Sequence, residues 1–138
     1  MKTSYLCPRC RIVLNPHQEI IMLMSRGESR HLVLFSPRIG DYKVQTPSDV
    51  SFKEGEAVEF MCPSCHAGFR SPVADDIAEI LLRQEDGTFL RVGFSRTYGK
   101  QATFLISRKE VKGFGEDAAA YREMNWFGEG GLWEGEQV

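Results

Sequence analysis

The chain has 138 residues, of which 42% are hydrophobic and 26% are charged, as is typical of a globular protein. Residues 1–112 carry 16 basic and 13 acidic side chains, or +3, whereas residues 113–138 carry one basic and six acidic side chains, or −5; neither balance is that of a strongly basic nucleic-acid-binding domain. The sequence shows neither an apolar run of the roughly 20 residues that span a bilayer nor a secretory signal at its N-terminus, so we expect a cytoplasmic protein without a membrane partner.

The first half of the chain predicts β-strands. Apolar, strand-like segments at residues 19–25 and 30–36 flank the turn-like sequence RGES and predict a β-hairpin. Residues 41–45 predict a third strand. After a polar loop, the alternating pattern of residues 57–61 predicts another.

The second half predicts the same kinds of element. Segments 79–84 and 88–95 flank the sequence EDG and predict a second hairpin, because Asp-Gly tolerates the positive φ of a tight turn. Residues 101–107 predict a further strand. Within residues 71–82, Ser71 as N-cap and Pro72 at the first position predict one or two helical turns before the strand begins.

The C-terminal region predicts one short helix over residues 116–127. The Gly-rich, acidic residues that follow predict a flexible end. Of Trp126, Phe127 and Trp133, we expect one or two to dock on the rest of the protein.

The two hairpin regions also resemble each other. With a one-residue gap in the turn, Glu19 aligns with Glu79 and Gly27 with Gly87. The alternative is that two unrelated hairpins share a strand-like composition. We predict a mainly β protein with two pseudo-repeated antiparallel units joined by a four-cysteine site.

The predicted boundaries follow from this repeat and from the charge distribution. Residues 1–112 form a single β-rich domain with an internal repeat over residues 1–50 and 57–108. Residues 113–138 form an acidic, partly flexible tail.

All four cysteines lie in two Cys-Pro-x-Cys motifs, CPRC at residues 7–10 and CPSC at residues 62–65. A two-residue spacer makes a tight turn that aims both sulfurs inward, and proline presets φ for that turn. Two such motifs supply the four thiolates of a closed tetrahedral zinc site. The predicted ligands of a single Zn²⁺ are Cys7, Cys10, Cys62 and Cys65.

Charged neighbours accompany these ligands. Four thiolates around Zn²⁺ leave a formal charge of −2, and the adjacent basic side chains are expected to screen it. Those side chains are Arg9, Arg11, Arg70 and His66. With four cysteines present, we expect neither His66 nor His17 or His31 to bind the metal.

Other uses of the motifs are weaker alternatives. A glutaredoxin-like redox site places its first cysteine at a helix N-terminus, but Pro16 after the first motif and Gly68 and Pro72 after the second argue against a long helix there. A pair of disulfides is not expected in a cytoplasmic protein. A single iron remains possible, because four thiolates suit iron as well as zinc.

The two motifs resemble those of the zinc-ribbon and rubredoxin-like group, and the layout is similar to that of uncharacterised small bacterial zinc-ribbon proteins. The resemblance implies a β-rich metalloprotein and no particular activity. The usual glycine after the second cysteine, which allows a positive φ, is replaced by Arg11 and His66.

Residues 83–112 contain seven basic and three acidic side chains among several aromatic ones. Such a pattern can bind single-stranded nucleic acid, or it can reflect a sheet with aromatic residues in the core and charges in solvent. The candidate partner surface comprises Arg91, Arg96, Tyr98, Lys100, Arg108 and Lys109.

The sequence contains no Walker, G-x-S-x-G or H-E-x-x-H motif. We therefore expect a non-catalytic, structural zinc protein that acts as an interaction module. Its partner is expected to be a protein, with nucleic acid as the other possibility. The alternative function is a rubredoxin-like one-iron electron carrier.

Overall fold

The computed structural model describes residues 3–39, 41, 43–47, 52–98, 100–107, 110–121 and 126. These residues form nine strands and one 3₁₀ helix. The strands are β1 (Ser4–Leu6), β2 (Ile20–Arg26), β3 (Ser29–Phe35), β4 (Val44–Gln45), β5 (Glu59–Met61), β6 (Ile77–Arg83), β7 (Phe89–Ser95), β8 (Thr103–Ile106) and β9 (Val111–Phe114), and the 3₁₀ helix spans Ala118–Tyr121.

The strands form two antiparallel sheets. The first sheet has the order β4-β3-β2-β5 and the second has the order β1-β6-β7-β8-β9. The leading strand of each half is exchanged, because β1 pairs with β6 of the second half and β5 pairs with β2 of the first half. The mainly β architecture with two antiparallel units, predicted from the sequence, is confirmed.

Two backbone hydrogen bonds of the first half recur in the second half. The N–H of Leu14 donates to the carbonyl of Tyr5, and the N–H of Phe69 donates to that of Phe60. The next bond in each half runs from Ile21 to Leu14 and from Glu79 to Phe69. The structural equivalents are therefore Tyr5 with Phe60, Leu14 with Phe69 and Ile21 with Glu79.

This equivalence corrects the alignment of Glu19 with Glu79. The turn of the first hairpin contains two residues, 27 and 28, between the paired Arg26 and Ser29. The second turn is one residue longer, because the N–H of Gln84 donates to the carbonyl of Thr88. The alignment of the two glutamates reflected similar composition, whereas the hydrogen bonds make Ile21 the structural equivalent of Glu79.

The main core lies between the two sheets. It takes equivalent side chains from both halves, and also includes Cys7 and Cys62. A second apolar cluster, with Ile77, Phe104 and Trp126, lies on the other face of the second sheet. The inner faces of the two hairpins are thus buried against each other. The outer face of the second sheet is covered by the second apolar cluster.

The helical turns predicted within residues 71–82 are wrong. Ser71 does accept a hydrogen bond from the N–H of Val73 at 3.1 Å, as a cap would, but the chain enters β6 at Ile77. β6 pairs with β1 on one side and β7 on the other, and its first six residues are buried. A central strand buried on both faces is a continuous apolar run, which local pattern does not separate from a helix.

The described part of the C-terminal region differs from the sequence prediction. β9 crosses the boundary expected at residue 112, and residues 116–121, the continuous described part of the helix expected over 116–127, contain the 3₁₀ turn Ala118–Tyr121. Trp126 is 3% exposed, which confirms the docking of one tryptophan. Phe127 and Trp133 lie outside the described residues. Among the residues described, no helix is long and apolar enough to cross a membrane.

Candidate metal centre

The exchanged strands bring the two cysteine motifs together. β1 ends at Leu6, directly before Cys7, and β5 ends at Met61, directly before Cys62. Because each strand belongs to the sheet of the other half, both motifs emerge at the junction of the halves. The pairing of distant motifs is therefore a consequence of the topology.

The four sulfur atoms form one cluster, with every pair of Sγ atoms within 4.8 Å. The Sγ atoms of Cys7 and Cys65 are 3.8 Å apart, and those of Cys10 and Cys62 are 3.7 Å apart. These distances exclude S–S bonds, which are about 2.05 Å long. They match a tetrahedron of thiolates around one metal ion, since metal–sulfur bonds of about 2.3 Å give edges of about 3.8 Å. The predicted grouping of all four cysteines is borne out.

Backbone amides support the first cysteine of each motif. The N–H groups of Arg9 and Cys10 point to Cys7 Sγ, at 3.3 and 3.4 Å. The N–H groups of Ser64 and Cys65 make the same contacts to Cys62 Sγ, at 3.3 and 3.4 Å. Two donors per sulfur favour the thiolate, which is the form that binds metal.

The residue after each motif adopts the left-handed conformation although it is not glycine. Arg11 has φ of 65° and His66 has φ of 64°. The N–H of each donates to the carbonyl of the first cysteine of its motif, Cys7 or Cys62, at 3.0 Å. The departure from the usual glycine therefore does not change the backbone of either turn.

The two cysteines of each motif differ in solvent exposure. Cys7 and Cys62 are fully buried, whereas Cys10 and Cys65 are exposed. Burial raises the pKa of Cys7 to about 12 and also raises the pKa of Cys62. The pKa of Cys65 is lowered, chiefly by a hydrogen bond from the backbone N–H of Ala67. A bound cation would offset the cost of burying two thiolates, because its charge stabilises their ionised form.

Basic side chains near the cluster have other contacts as well. The guanidinium of Arg11 lies over the ring of Phe89, 5.6 Å from its centroid. Arg70 donates to both carboxylate oxygens of Glu59 at 2.7 Å, and the same carboxylate also accepts from Arg96. His66 is exposed, and the cluster of potential ligands contains cysteines alone.

Two residues of the predicted partner surface are buried, which corrects the expectation that they face solvent. Arg91 is 2% exposed, and its Nε lies 2.8 Å from a carboxylate oxygen of Glu79, itself 0% exposed. Arg96 donates to the carbonyl of Val58 at 2.9 Å and to Glu59 at 2.6 Å. Both guanidinium groups stabilise the sheet structure, so a basic surface through them does not form.

Two of the other four members of that surface belong to the described residues. Tyr98 and Lys100 are exposed and follow β7. Arg108 and Lys109 lie outside the described residues. The structure thus leaves Tyr98 and Lys100 as the described solvent-facing positions of the predicted set.

Sequence reasoning missed the buried carboxylate of Glu79. Ser71 donates to this carboxylate at 2.5 Å, and Arg91 makes two hydrogen bonds to it. Its signal was a single acidic residue within the otherwise apolar run IAEILL, because a charge in a buried strand requires a partner.

No protein-family model, curated protein or solved structure matches this chain. The candidate site therefore rests on the geometry and chemistry of its own residues.

Proposed function

We propose that the protein is a non-catalytic, structural zinc protein in which one Zn²⁺ bound by Cys7, Cys10, Cys62 and Cys65 fastens the two halves together. The observation that supports this proposal is the 3.7–3.8 Å spacing of sulfurs from opposite halves. Four thiolates form a closed site without a vacant position for substrate. Zinc supplies folding free energy there and takes no part in redox chemistry.

A one-iron electron carrier is the second candidate. Cys10 and Cys65 are exposed, so an iron bound by the cluster would lie close to a redox partner on the surface. Four thiolates accommodate iron as well as zinc. This candidate predicts a coloured protein that bleaches on reduction.

Elemental analysis of purified protein tests both candidates. We expect one zinc per chain, which is lost in the Cys7→Ser and Cys62→Ser variants and retained in a His66→Ala control. Metal content should also fall in acid, because thiolates must be deprotonated to bind. One iron per chain would reject the zinc proposal. Amounts of zinc and iron far below one per chain would reject both candidates.

The proposed interaction partner is a protein, and the outer face of the first sheet is its candidate surface. Leu23 pairs with Leu32 and Met61 in this sheet, and Ile21 pairs with Leu34. These five residues lie opposite the inward-facing Met22, Met24 and Val33, and together they define the outer apolar face.

The second sheet indicates what kind of segment such a face accepts. Trp126 packs over Gly93, the equivalent of Leu34, and Arg91, the equivalent of Leu32, is 2% exposed. Leu32 is 56% exposed. Because Trp126 covers the equivalent face of the second sheet, we propose a protein partner that places an aromatic side chain on the outer apolar face.

A pull-down comparison tests this surface. A specific partner should be recovered with the unchanged protein, lost with Leu32→Asp and retained with a charge-matched Gln18→Asp control in the exposed loop before β2. Retention by Leu32→Asp would reject the face. Steeply salt-dependent capture of nucleic acid would instead support the nucleic-acid alternative.

A further inference from the structure

We infer that the space between the two sheets is a binding site for an apolar small molecule whose polar end stays at the mouth. The inner faces enclose a cavity of about 420 Å³. This volume lies within the range of small-molecule sites, which are mostly apolar pockets of about 300–1,000 Å³. The inference is independent of the proposed metal and of the outer apolar face.

The cavity is built from equivalent positions of both halves. Tyr5 and Phe60, each two residues before a buried cysteine, both line it. Its aromatic wall consists of Phe35, Phe60 and Phe94, whose ring centroids are 5.4–6.1 Å apart. The other described lining residues that carry the argument are Met22, Met24 and Ile80.

The buried polar side-chain atoms of the wall already have partners in the protein, because the buried atom without one in the described part of the chain, Arg83 Nε, does not line the cavity. The hydroxyl of Tyr5 donates to the carbonyl of Pro37 at 2.7 Å. Arg96 uses its guanidinium for Val58 and Glu59. A polar group of a ligand placed deep in the cavity would find no free partner among these atoms and would lose its hydration. The buried part of the ligand must therefore be apolar.

The mouth of the cavity, in contrast, is lined by charged side chains. Arg38, Glu54 and Lys100 are exposed there, and Asp41 is half-buried. Tyr98 stacks on Phe52 with ring centroids 5.4 Å apart, which provides an aromatic rim. Two basic and two acidic side chains give no net charge, so a small polar end exposed to water suffices and no particular charge is selected.

The methionines adapt the cavity to ligand shape. Met22 and Met24 project from β2 into the core, and the flexible, polarisable methionine side chain fits irregular partners. An empty apolar cavity loses contacts on its walls, because those atoms have no neighbours on one side. A ligand that fills it should accordingly stabilise the metal-loaded protein.

The test uses 1-aminoanthracene, an uncharged fluorophore, with the full-length, metal-loaded chain. We expect saturable, one-to-one binding with an increase in fluorescence and a rise in the melting temperature. Dodecanol and dodecanoate should both displace the probe, because the charge of the polar end is not selected. Unsaturable binding or no binding would overturn the inference.

Methyl labelling locates the site without a substitution. With ¹³C-methyl methionine, the probe should shift the signals of Met22 and Met24 and leave that of Met61, on the outer apolar face, unchanged. Shifts confined to Met61 would place the probe outside the cavity and overturn the inference.

A cavity-filling variant provides the second readout. Val44→Trp introduces a large side chain at a lining position and should abolish probe binding. Leu32→Trp adds the same side chain to the outer apolar face and should leave binding intact. Unchanged binding by a folded Val44→Trp, or equal loss by both variants, would contradict the cavity as the site; if Val44→Trp fails to fold, the methyl shifts decide.

Discussion

Glu79, Arg91 and Ser71 form a buried polar group on the outer side of the second sheet. Arg91 Nε and Nη2 lie 2.8 and 2.9 Å from the two carboxylate oxygens of Glu79. The equivalents of Glu79 and Arg91 in the first sheet are Ile21 and Leu32, both apolar. The fold therefore accommodates either an ion pair or an apolar pair at these positions.

Removing one partner of this ion pair should destabilise the protein far more than replacing both partners with apolar residues. Glu79→Ile and Arg91→Leu should each lower the free energy of unfolding by about 3–5 kcal/mol, because an unpaired charge remains buried. The double variant, which reproduces the pair of the first sheet, should recover most of this loss. Urea unfolding of the metal-loaded proteins measures it, and additive losses in the double variant would contradict the explanation.

His66 provides a second prediction for a single residue. Its φ of 64° is strained for a residue with a Cβ, by about 1–2 kcal/mol, and glycine removes that strain at some cost in unfolded-state entropy. We expect His66→Gly to raise the free energy of unfolding of the metal-loaded protein by up to about 1 kcal/mol. Ser64→Gly in the same turn, where φ is not positive, should lower it; a stabilising Ser64→Gly or a destabilising His66→Gly would exclude the strain argument.

At the scale of elements, the C-terminal segment docks where β7 lacks a side chain. A Cβ added to Gly93 would lie 3.2 Å from Ile77 Cγ2 and 3.5 Å from Trp126 Cζ3. Trp126 also contacts Phe104, with ring centroids 4.5 Å apart. Gly93 thus makes room for the indole, whereas the equivalent Leu34 fills that space on the first sheet.

A leucine at this position should displace the tryptophan. In a Trp133→Phe background, which leaves Trp126 as the sole tryptophan, Gly93→Leu should shift the fluorescence emission to longer wavelength because the indole becomes hydrated. Gly68→Ala is the control, since a Cβ there has no heavy atom within 4 Å. An unchanged emission maximum in Gly93→Leu would show that the indole does not depend on this glycine.

For the whole molecule, the strand exchange couples the two sheets. β1 and β5 each lead into one cysteine motif and pair within the sheet of the opposite half. The cysteine cluster lies at their ends, so we expect the loss of a bound metal to release both leading strands. Stability of one sheet should therefore depend on ligands contributed by both motifs.

Hydrogen–deuterium exchange can measure this coupling. Cys7→Ser and Cys62→Ser should each increase amide exchange in both sheets and lower the melting temperature strongly, because metal binding contributes to folding free energy. Removal of the metal by a chelator should give the same pattern. Faster exchange confined to the sheet whose strand leads into the altered motif would contradict the coupling. A chelated protein of unchanged stability would contradict it as well.

Local patterns in the sequence determined the strands of both hairpins and the identity of the four clustered cysteines. Alternation of apolar residues and the two-residue spacer of Cys-Pro-x-Cys act within a few residues, so they can be recognised without tertiary structure. The Asp-Gly turn and the docking of one C-terminal tryptophan were predicted on the same local grounds.

The tertiary structure decided which distant residues and strands contact one another. The exchange of β1 and β5, the burial of Arg91 and Arg96, and the start of β6 at Ile77 in place of the predicted helical turns all depend on contacts between distant residues. Arg91 lies 12 positions from Glu79, and Arg96 lies 37 positions from Glu59. An arginine in a strand has the same local sequence signal whether it meets water or a buried carboxylate, because the difference is the free energy of its long-range environment.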